Sequence, residues 1–362
     1  MNDGVEAGAL TEKHLVDHFV EILPNEELPA PSESRWTKQT RELIEQAAKN
    51  RRGRGVHGGI TLGTDRFYQL NKNWGGIDVG THLIAADTNI GKSSLLRMMA
   101  WDIIQNNPKV HVRFYTLDDG EEYFFDCFLA QAAKVPINAV HKPEAFEAKW
   151  DDLDPRHKEA KRIVARGEEM YKKFLRGDYL RQFSFIGIDT LESAEWSRIR
   201  DDIKAFKSTL PEDMKLVVCI DNFHDVEIEA GNSDLNERTE QVAIQVDRLA
   251  KEEQIVFLGT AELKKNNQRR PILDDILGSR KWKYKARTVF LLYSEVGVGK
   301  PNPRIFFQRD GQTEPGSVLE IHFAKSKVSE FKGRMFMEQF TEMGWMVEAP
   351  PDRAMQYATS LS

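Results

Sequence analysis

Two cysteines, Cys127 and Cys219, are all the thiol in 362 residues. Each sits in an apolar segment with no His or second Cys at ligand spacing. A disulfide framework and a structural zinc site are therefore excluded, and a reducing, cytoplasmic setting is expected. No apolar run approaches the roughly 18 residues that a membrane-spanning helix needs, so no membrane partner is expected. Met1-Asn2-Asp3-Gly4-Val5-Glu6 lacks the basic and apolar regions of a secretion signal. Internal repeats and low-complexity tracts are missing as well, which argues against a solenoid. An excess of positive charge is lacking overall: 51 Lys and Arg stand against 57 Asp and Glu, a net charge of −6. What is present, 40% apolar and 30% charged residues, describes a globular protein with ample core material.

The balance of charge is uneven along the chain. Lys264, Lys265, Arg269, Arg270, Arg280, Lys281, Lys283, Lys285 and Arg287 face only Asp274 and Asp275 in the same window, a net +7 that leaves −13 for the rest of the chain. A local positive field on an acidic body suits binding to a phosphodiester backbone at one place. Backbone amides at the Gly278-Ser279 turn, with the flanking cations Lys264, Lys265, Arg269, Arg270, Arg280, Lys281 and Lys283, form the candidate nucleic-acid site. They would track phosphates without reading sequence. Trp282, Tyr284 and Ala286 alternate with cations, the pattern of a half-buried strand, and core packing is expected of the aromatics ahead of base stacking.

Ala86-Asp87-Thr88-Asn89-Ile90-Gly91-Lys92-Ser93 reads as a phosphate-binding loop with Ala in the first Gly position of G-x-x-x-x-G-K-[ST]. It lies between the apolar run Thr81–Ala85 and the amphipathic segment Ser94–Trp101, a strand, loop and helix. Backbone N–H groups and the helix N-terminus would converge on phosphate oxygens, with Ser94 next in line. Lys92 would reach the terminal phosphates, and Ser93 would ligate Mg²⁺. Asp221 ends the apolar run Leu216–Ile220 and is the expected second carboxylate for that ion, so ATP and Mg²⁺ are the expected cofactors. Asp118, at the end of the strand after the loop helix, is the candidate base; the alternative is that the acidic cluster Asp118, Asp119, Glu121 and Glu122 caps the helix that starts near Gly120.

From about Gly59, strands and helices alternate as in a parallel sheet covered on both faces. Strands are expected at Val110–Leu117, Phe183–Ile188, Leu216–Asp221, Ile255–Thr260 and Val289–Tyr293. An antiparallel extension is expected to take in Arg304–Phe307 and Val318–Ala324. The expected fold class is α/β: a mostly parallel twisted sheet with helices on both faces and an antiparallel C-terminal extension. Residues 1–58 read as a helical and linker segment that packs on its own domain or, alternatively, docks on a neighbouring subunit, 59–350 as the main domain with a charged helical insertion at 143–180, and 351–362 as a flexible tail.

The order of these parts resembles the RecA-like ATPase domain of DnaB-type hexameric replicative helicases, from about Gly59 to Val347. Gly59-Ile60-Thr61-Leu62-Gly63-Thr64 through Asn71 is similar to the family's opening motif, and Ala at the first loop position is common there. Thr116-Leu117-Asp118 occupies the place of the catalytic glutamate, and because Asp is one methylene shorter the resemblance implies that Asp119 or Glu121 would assist it. Leu258-Gly259-Thr260-Ala261-Glu262-Leu263 occupies that of the phosphate-sensing strand, with Glu262 for the usual Gln. Asp275 to Arg280 corresponds to the DNA-binding loop, and Lys325-Ser326-Lys327 to the pair donated to the neighbouring subunit's phosphates, with Lys for Arg. The resemblance implies a RecA-like P-loop core and an ATPase and DNA helicase assembled as a hexamer on single-stranded DNA. It also implies a loader or primase partner and a bacterial or phage-infected cytoplasm. The short N-terminal segment points to a phage or plasmid type of protein. The softened positions Asp118, Glu262 and Lys327 support an alternative, a recombination or regulatory DNA-binding protein that binds ATP and hydrolyses it slowly. A RecA-like ATPase acting on protein partners is the third reading.

Overall fold

The structure, a computed structural model, describes residues 38, 40–45, 59–63, 65–151, 153–228, 234–264, 269–309, 312–327 and 329–361, with Ser279, Gln308, Arg309 and Gln312 described in their backbone alone. The chain divides into two compact units, Met1–Arg54 and Gly55–Ser362. In the first, Lys38 and residues 40–45 are helical, and Leu43 and Ile44 are exposed. The rest of the expected N-terminal segment lies outside the described residues.

In the second unit, the described residues form eleven strands: β1 (Gly80–Ala86), β2 (Val110–Thr116), β3 (Phe183–Gly187), β4 (Lys215–Asp221), β5 (Val256–Glu262), β6 (Thr288–Tyr293), β7 (Phe306–Arg309), β8 (Gln312–Pro315), β9 (Val318–Ser326), β10 (Arg334–Phe340) and β11 (Trp345–Glu348). Nine of them make one sheet in the order β11-β10-β9-β6-β1-β5-β4-β2-β3. Strands β6, β1, β5, β4, β2 and β3 run parallel, and β9, β10 and β11 extend the sheet antiparallel from β6. The parallel strands are near-continuous apolar runs because both of their faces are covered. Alternate residues of β1 feed opposite cores. Ile84 and Ala86 pack with the helices Lys92–Asn106 and Glu121–Ala133, whereas Leu83 and Ala85 pack with the helices Trp196–Thr209 and Leu235–Glu252.

Register then sets the functional edge. Ala86 pairs with Glu262, Ile220 with Gly259, and Thr116 with Asp221, so β1, β5, β4 and β2 all end on one side. In an open α/β sheet, ligands bind outside the carboxyl ends of the strands.

Three local expectations are corrected. The alternating segment after Gly278 is a helix, Ser279–Lys285, and its Trp282 and the following Ala286 share one buried face at helical spacing while Tyr284 is exposed. Alternation over so few residues fits either period, and packing of Trp282 on Phe223 decides it. Phe306 and Phe307 belong to a separate two-stranded hairpin, β7 with β8, and not to the main sheet. Residues 351–361 form a helix in place of the expected flexible tail. Tyr357 and Leu361 are buried, and the Tyr357 hydroxyl donates to Glu338 Oε1 at 2.6 Å. The charged insertion also has an inner edge: in its helix Pro155–Leu175, Phe174 packs on Trp101 and Phe128 of the core.

Candidate active site

The phosphate loop turns twice through the left-handed region, at Asn89 (φ 60°) and Gly91 (φ 105°). Gly91 is required there, since a Cβ would also meet Met346 Cε at 2.8 Å and Gln339 Nε2 at 2.9 Å. Gln339 reaches in from β10 to support the loop, its Nε2 donating to the Ile90 carbonyl at 3.0 Å. Ala86 is the last residue of β1 and fully buried in the core, so the first position of the motif is a strand residue here and its methyl packs. Asp87 bends the chain out by accepting from the Thr88 amide at 2.8 Å.

Lys92 opens the following helix, and its Nζ donates to the carbonyls of Ala86 at 3.1 Å and Asp87 at 3.0 Å. Burial pushes its pKa down, and the neighbouring Glu262 and Asp221 oppose that shift. The ammonium group is thus held across the loop mouth by two carbonyls, with carboxylates near it but none bonded to it. Ser93 and Ser94 are half-buried in the first helical turn, and the Ser94 carbonyl accepts from Gln131. Asp221 is buried, and its Oδ1 accepts from the Thr260 hydroxyl at 2.6 Å. A glycine-permitted cradle of amides, a buried ammonium, one hydroxyl and one carboxylate fit a phosphate chain with Mg²⁺. That ion takes oxygen ligands and is held by few protein groups when phosphates supply the rest. Among the described residues, no three His, Cys, Asp or Glu side chains are grouped to hold a metal alone.

The acids beyond β2 divide by partner. Asp118 is exposed. Asp119 is tied to buried Arg97 at 3.4 Å, and the Glu121 carboxylate accepts from the Gly187 amide at 2.6 Å, so neither is free to assist Asp118. Asp225 completes this acidic wall. Burial and then the nearby charge of Asp118 push its carboxyl up to about 6. No sequence signal marks Asp225, Thr260 or His224; tertiary packing brings them to this edge of the sheet.

Glu262 ends β5 beside Ala86, and its backbone N–H donates to His224 Nδ1 at 2.9 Å. Its carbonyl accepts from the Leu277 amide at 3.1 Å, and the Lys264 amide donates to the Asp275 carbonyl at 2.7 Å. The strand end that carries Glu262 is therefore hydrogen-bonded alongside the segment Asp275–Leu277, which leads into the turn at Gly278 (φ 63°) where the basic helix begins.

The structure divides the cations of the basic window. Arg269 forms a forked pair with Asp275 at 2.6 and 2.8 Å. Arg270 pairs with the buried Glu320 at 2.8 and 3.0 Å, Lys283 with Asp274, and Lys285 with Asp247 at 3.1 Å. Arg270 is thus a partner for a buried carboxylate, in place of the open phosphate contact expected of it. Lys264 and Arg280 are exposed and Lys281 half-buried, with no ion pair among the described residues. Lys265 lies outside the described residues, and Ser279 is described in its backbone alone. Lys325 Nζ donates to the Lys283 carbonyl and Lys327 Nζ to the Tyr284 carbonyl at 2.9 Å, so both hold the end of the basic helix in their own chain. Burial, then the charge of Lys327, lowers Lys325 to about 8.

The family model described as "DnaB-like helicase C terminal domain" matches residues 61–332. Among solved structures, one described as an "ATPase Domain" superposes with a TM-score of 0.66 at 15% identity, covering 86% of this chain and 98% of that one. "The Structure Of A DnaB-Like Replicative Helicase And Its Interactions With Primase" superposes with a TM-score of 0.63 at 15% identity, covering 94% of this chain and 72% of that one. At these identities the structural likeness speaks for the fold. No curated protein matches the chain.

Proposed function

The chain belongs to the DnaB-like helicase C-terminal domain family, and from that premise we propose that it is an ATP-driven motor that moves along single-stranded DNA as a ring of six copies. One observation carries the proposal: a single strand end, Glu262 to Lys264, joins the phosphate-loop edge to the turn that opens the basic helix.

In this reading the loop amides and Lys92 bind the phosphates, with Ser93 and Asp221 as the magnesium ligands. When bound, ATP would supply the phosphoanhydride whose hydrolysis drives movement, and Mg²⁺ would neutralise charge on its phosphates. Asp118 orients the attacking water and accepts its proton; being one methylene shorter than Glu, it does so at a modest rate. Glu262 responds to the terminal phosphate, and Lys325 and Lys327 leave the carbonyls of Lys283 and Tyr284 to reach a neighbouring subunit's nucleotide. Lys264, Arg280 and Lys281 carry the DNA backbone. The DnaB-like helicase above interacts with primase, and a primase or loader is the corresponding partner proposed here.

The test is strand displacement. Protein with ATP, Mg²⁺ and a forked duplex is expected to release the strand, and Lys92→Ala to stop it. Single-strand binding that needs ATP, with negligible phosphate release and no displacement, would sink the motor. Negatively stained particles with nucleotide are expected to show six-membered rings; filaments would contradict the ring.

A further inference from the structure

His224 lies three residues beyond Asp221 and has only 6% of its surface exposed. Its ring touches the two elements that the motor must couple. Nδ1 accepts from the Glu262 amide at 2.9 Å, which fixes the tautomer, so Nε2 carries the hydrogen and is directed at the Leu277 carbonyl at 3.4 Å. Glu262 ends the strand beside the phosphate loop, and Leu277 immediately precedes the Gly278 turn of the basic helix.

We propose that His224 is the positioning residue through which DNA on the basic helix controls nucleotide turnover. The inference rests on the motor reading of Glu262 and of the basic helix. The backbone bond from Leu277 to Glu262 already joins the two, but one such bond leaves a hinge. The imidazole adds a bond to each side across a rigid ring with no torsion between its nitrogens, so a displacement of Leu277 is handed to Glu262.

The backbone that carries the ring is anchored from two directions. The His224 amide donates to Asn222 Oδ1 at 2.8 Å, and its carbonyl accepts from Arg238 Nη2 at 3.0 Å. Arg238 is on the same helix as Thr239, whose side chain fills the space above Gly278. Burial lowers the imidazole pKa to about 4, opposed by the bond to Leu277 and assisted by the charges of Lys92 and Arg238. At neutral pH the ring therefore keeps one donor and one acceptor. An imidazolium would place a second N–H against the Glu262 amide.

The experiment measures ATP turnover of the full chain with Mg²⁺, with and without an oligo-dT strand, together with the KM for ATP, DNA affinity and melting temperature. His224→Ala is expected to cut the stimulation by DNA about tenfold, while basal turnover, KM and DNA affinity stay within about twofold. Two half-isosteres guard against a misfolded alanine variant. His224→Asn keeps an acceptor near Glu262 and His224→Gln a donor near Leu277, and each is expected to lose stimulation because both bonds are needed. Full stimulation in these variants would overturn the coupling, as would a parallel fall of basal turnover, KM and stimulation in all three. A wild-type protein whose turnover ignores the strand would overturn the motor reading and the coupling with it.

Discussion

The Thr260 hydroxyl donates to Asp221 Oδ1 at 2.6 Å across the neighbouring strands β5 and β4. Thr260 is fully buried and Asp221 nearly so, which leaves the carboxylate little freedom to rotate. A hydrogen bond to a charged group contributes about 1.5–3 kcal/mol, so Thr260→Val is expected to lower ATP turnover by about 10- to 100-fold. Thr260→Ser, which keeps the donor, should restore most of the rate. Steady-state phosphate release decides it, and equal rates for Val and Ser would show that the hydroxyl does not hold Asp221.

The cations of the basic window should separate in solution as they do in the fold. Neutralising Lys264, Arg280 and Lys281 is expected to reduce the salt dependence of single-strand binding by about 0.7 in log–log slope for each phosphate contact removed. Arg270→Gln is expected to leave that slope alone. It strips one partner from buried Glu320 but leaves Arg334, and should cost about 2 kcal/mol of stability. Salt titrations of DNA affinity and urea unfolding of the same variants make the comparison.

Acid should weaken the fold through His82. The ring is fully buried in β1, with Nε2 donating to the Asp78 carbonyl at 2.8 Å, and burial lowers its pKa to about 4. The unfolded chain therefore binds a proton more readily than the folded one. The stability from neutral His82 is complete above the unfolded value near 6.5 and is lost as pH falls towards 4, about 2 kcal/mol of it by pH 5. Urea unfolding at pH 7.5 and pH 5 should show the gap between wild type and His82→Gln narrowing by that amount. An unchanged gap would mean that His82 takes up a proton as readily in the fold as in the unfolded chain.

The C-terminal helix should behave as part of the core. Tyr357→Phe removes the hydroxyl that donates to buried Glu338 and is expected to cost about 1.5 kcal/mol, read as a lower melting temperature. A variant as stable as wild type would show that Arg353, at 2.9 Å, satisfies Glu338 alone.

How far the sequence could be read depends on how local each feature is. The phosphate loop, its strand and its helix are contiguous, so Ala86 to Ser93 is legible at once. Asp221 is legible because a buried parallel strand must end at the functional edge. The family resemblance from Gly59 onward rests on such local motifs and holds for residues 61–332. Long-range pairing was not legible: nothing near Arg270 announces Glu320, fifty positions on. Thr260 is likewise placed by strand register, and His224 by the turn that follows β4. The helix at 351–361 did leave a signal, with Pro351 at its first position and Ala354, Tyr357 and Leu361 at helical spacing, but its shortness let it pass as a tail.

Gln339 bonds to Ile90 across 249 positions, Met346 crowds Gly91, and the Glu348 carboxylate accepts from the amides of Gln69 and Leu70, both at 2.7 Å. The late antiparallel strands are thus a buttress for the earliest parts of the unit. Dissecting this motor into a minimal fragment has a definite lower limit: a cut before Arg334 would keep every residue of the nucleotide motif and remove the props that give it its shape.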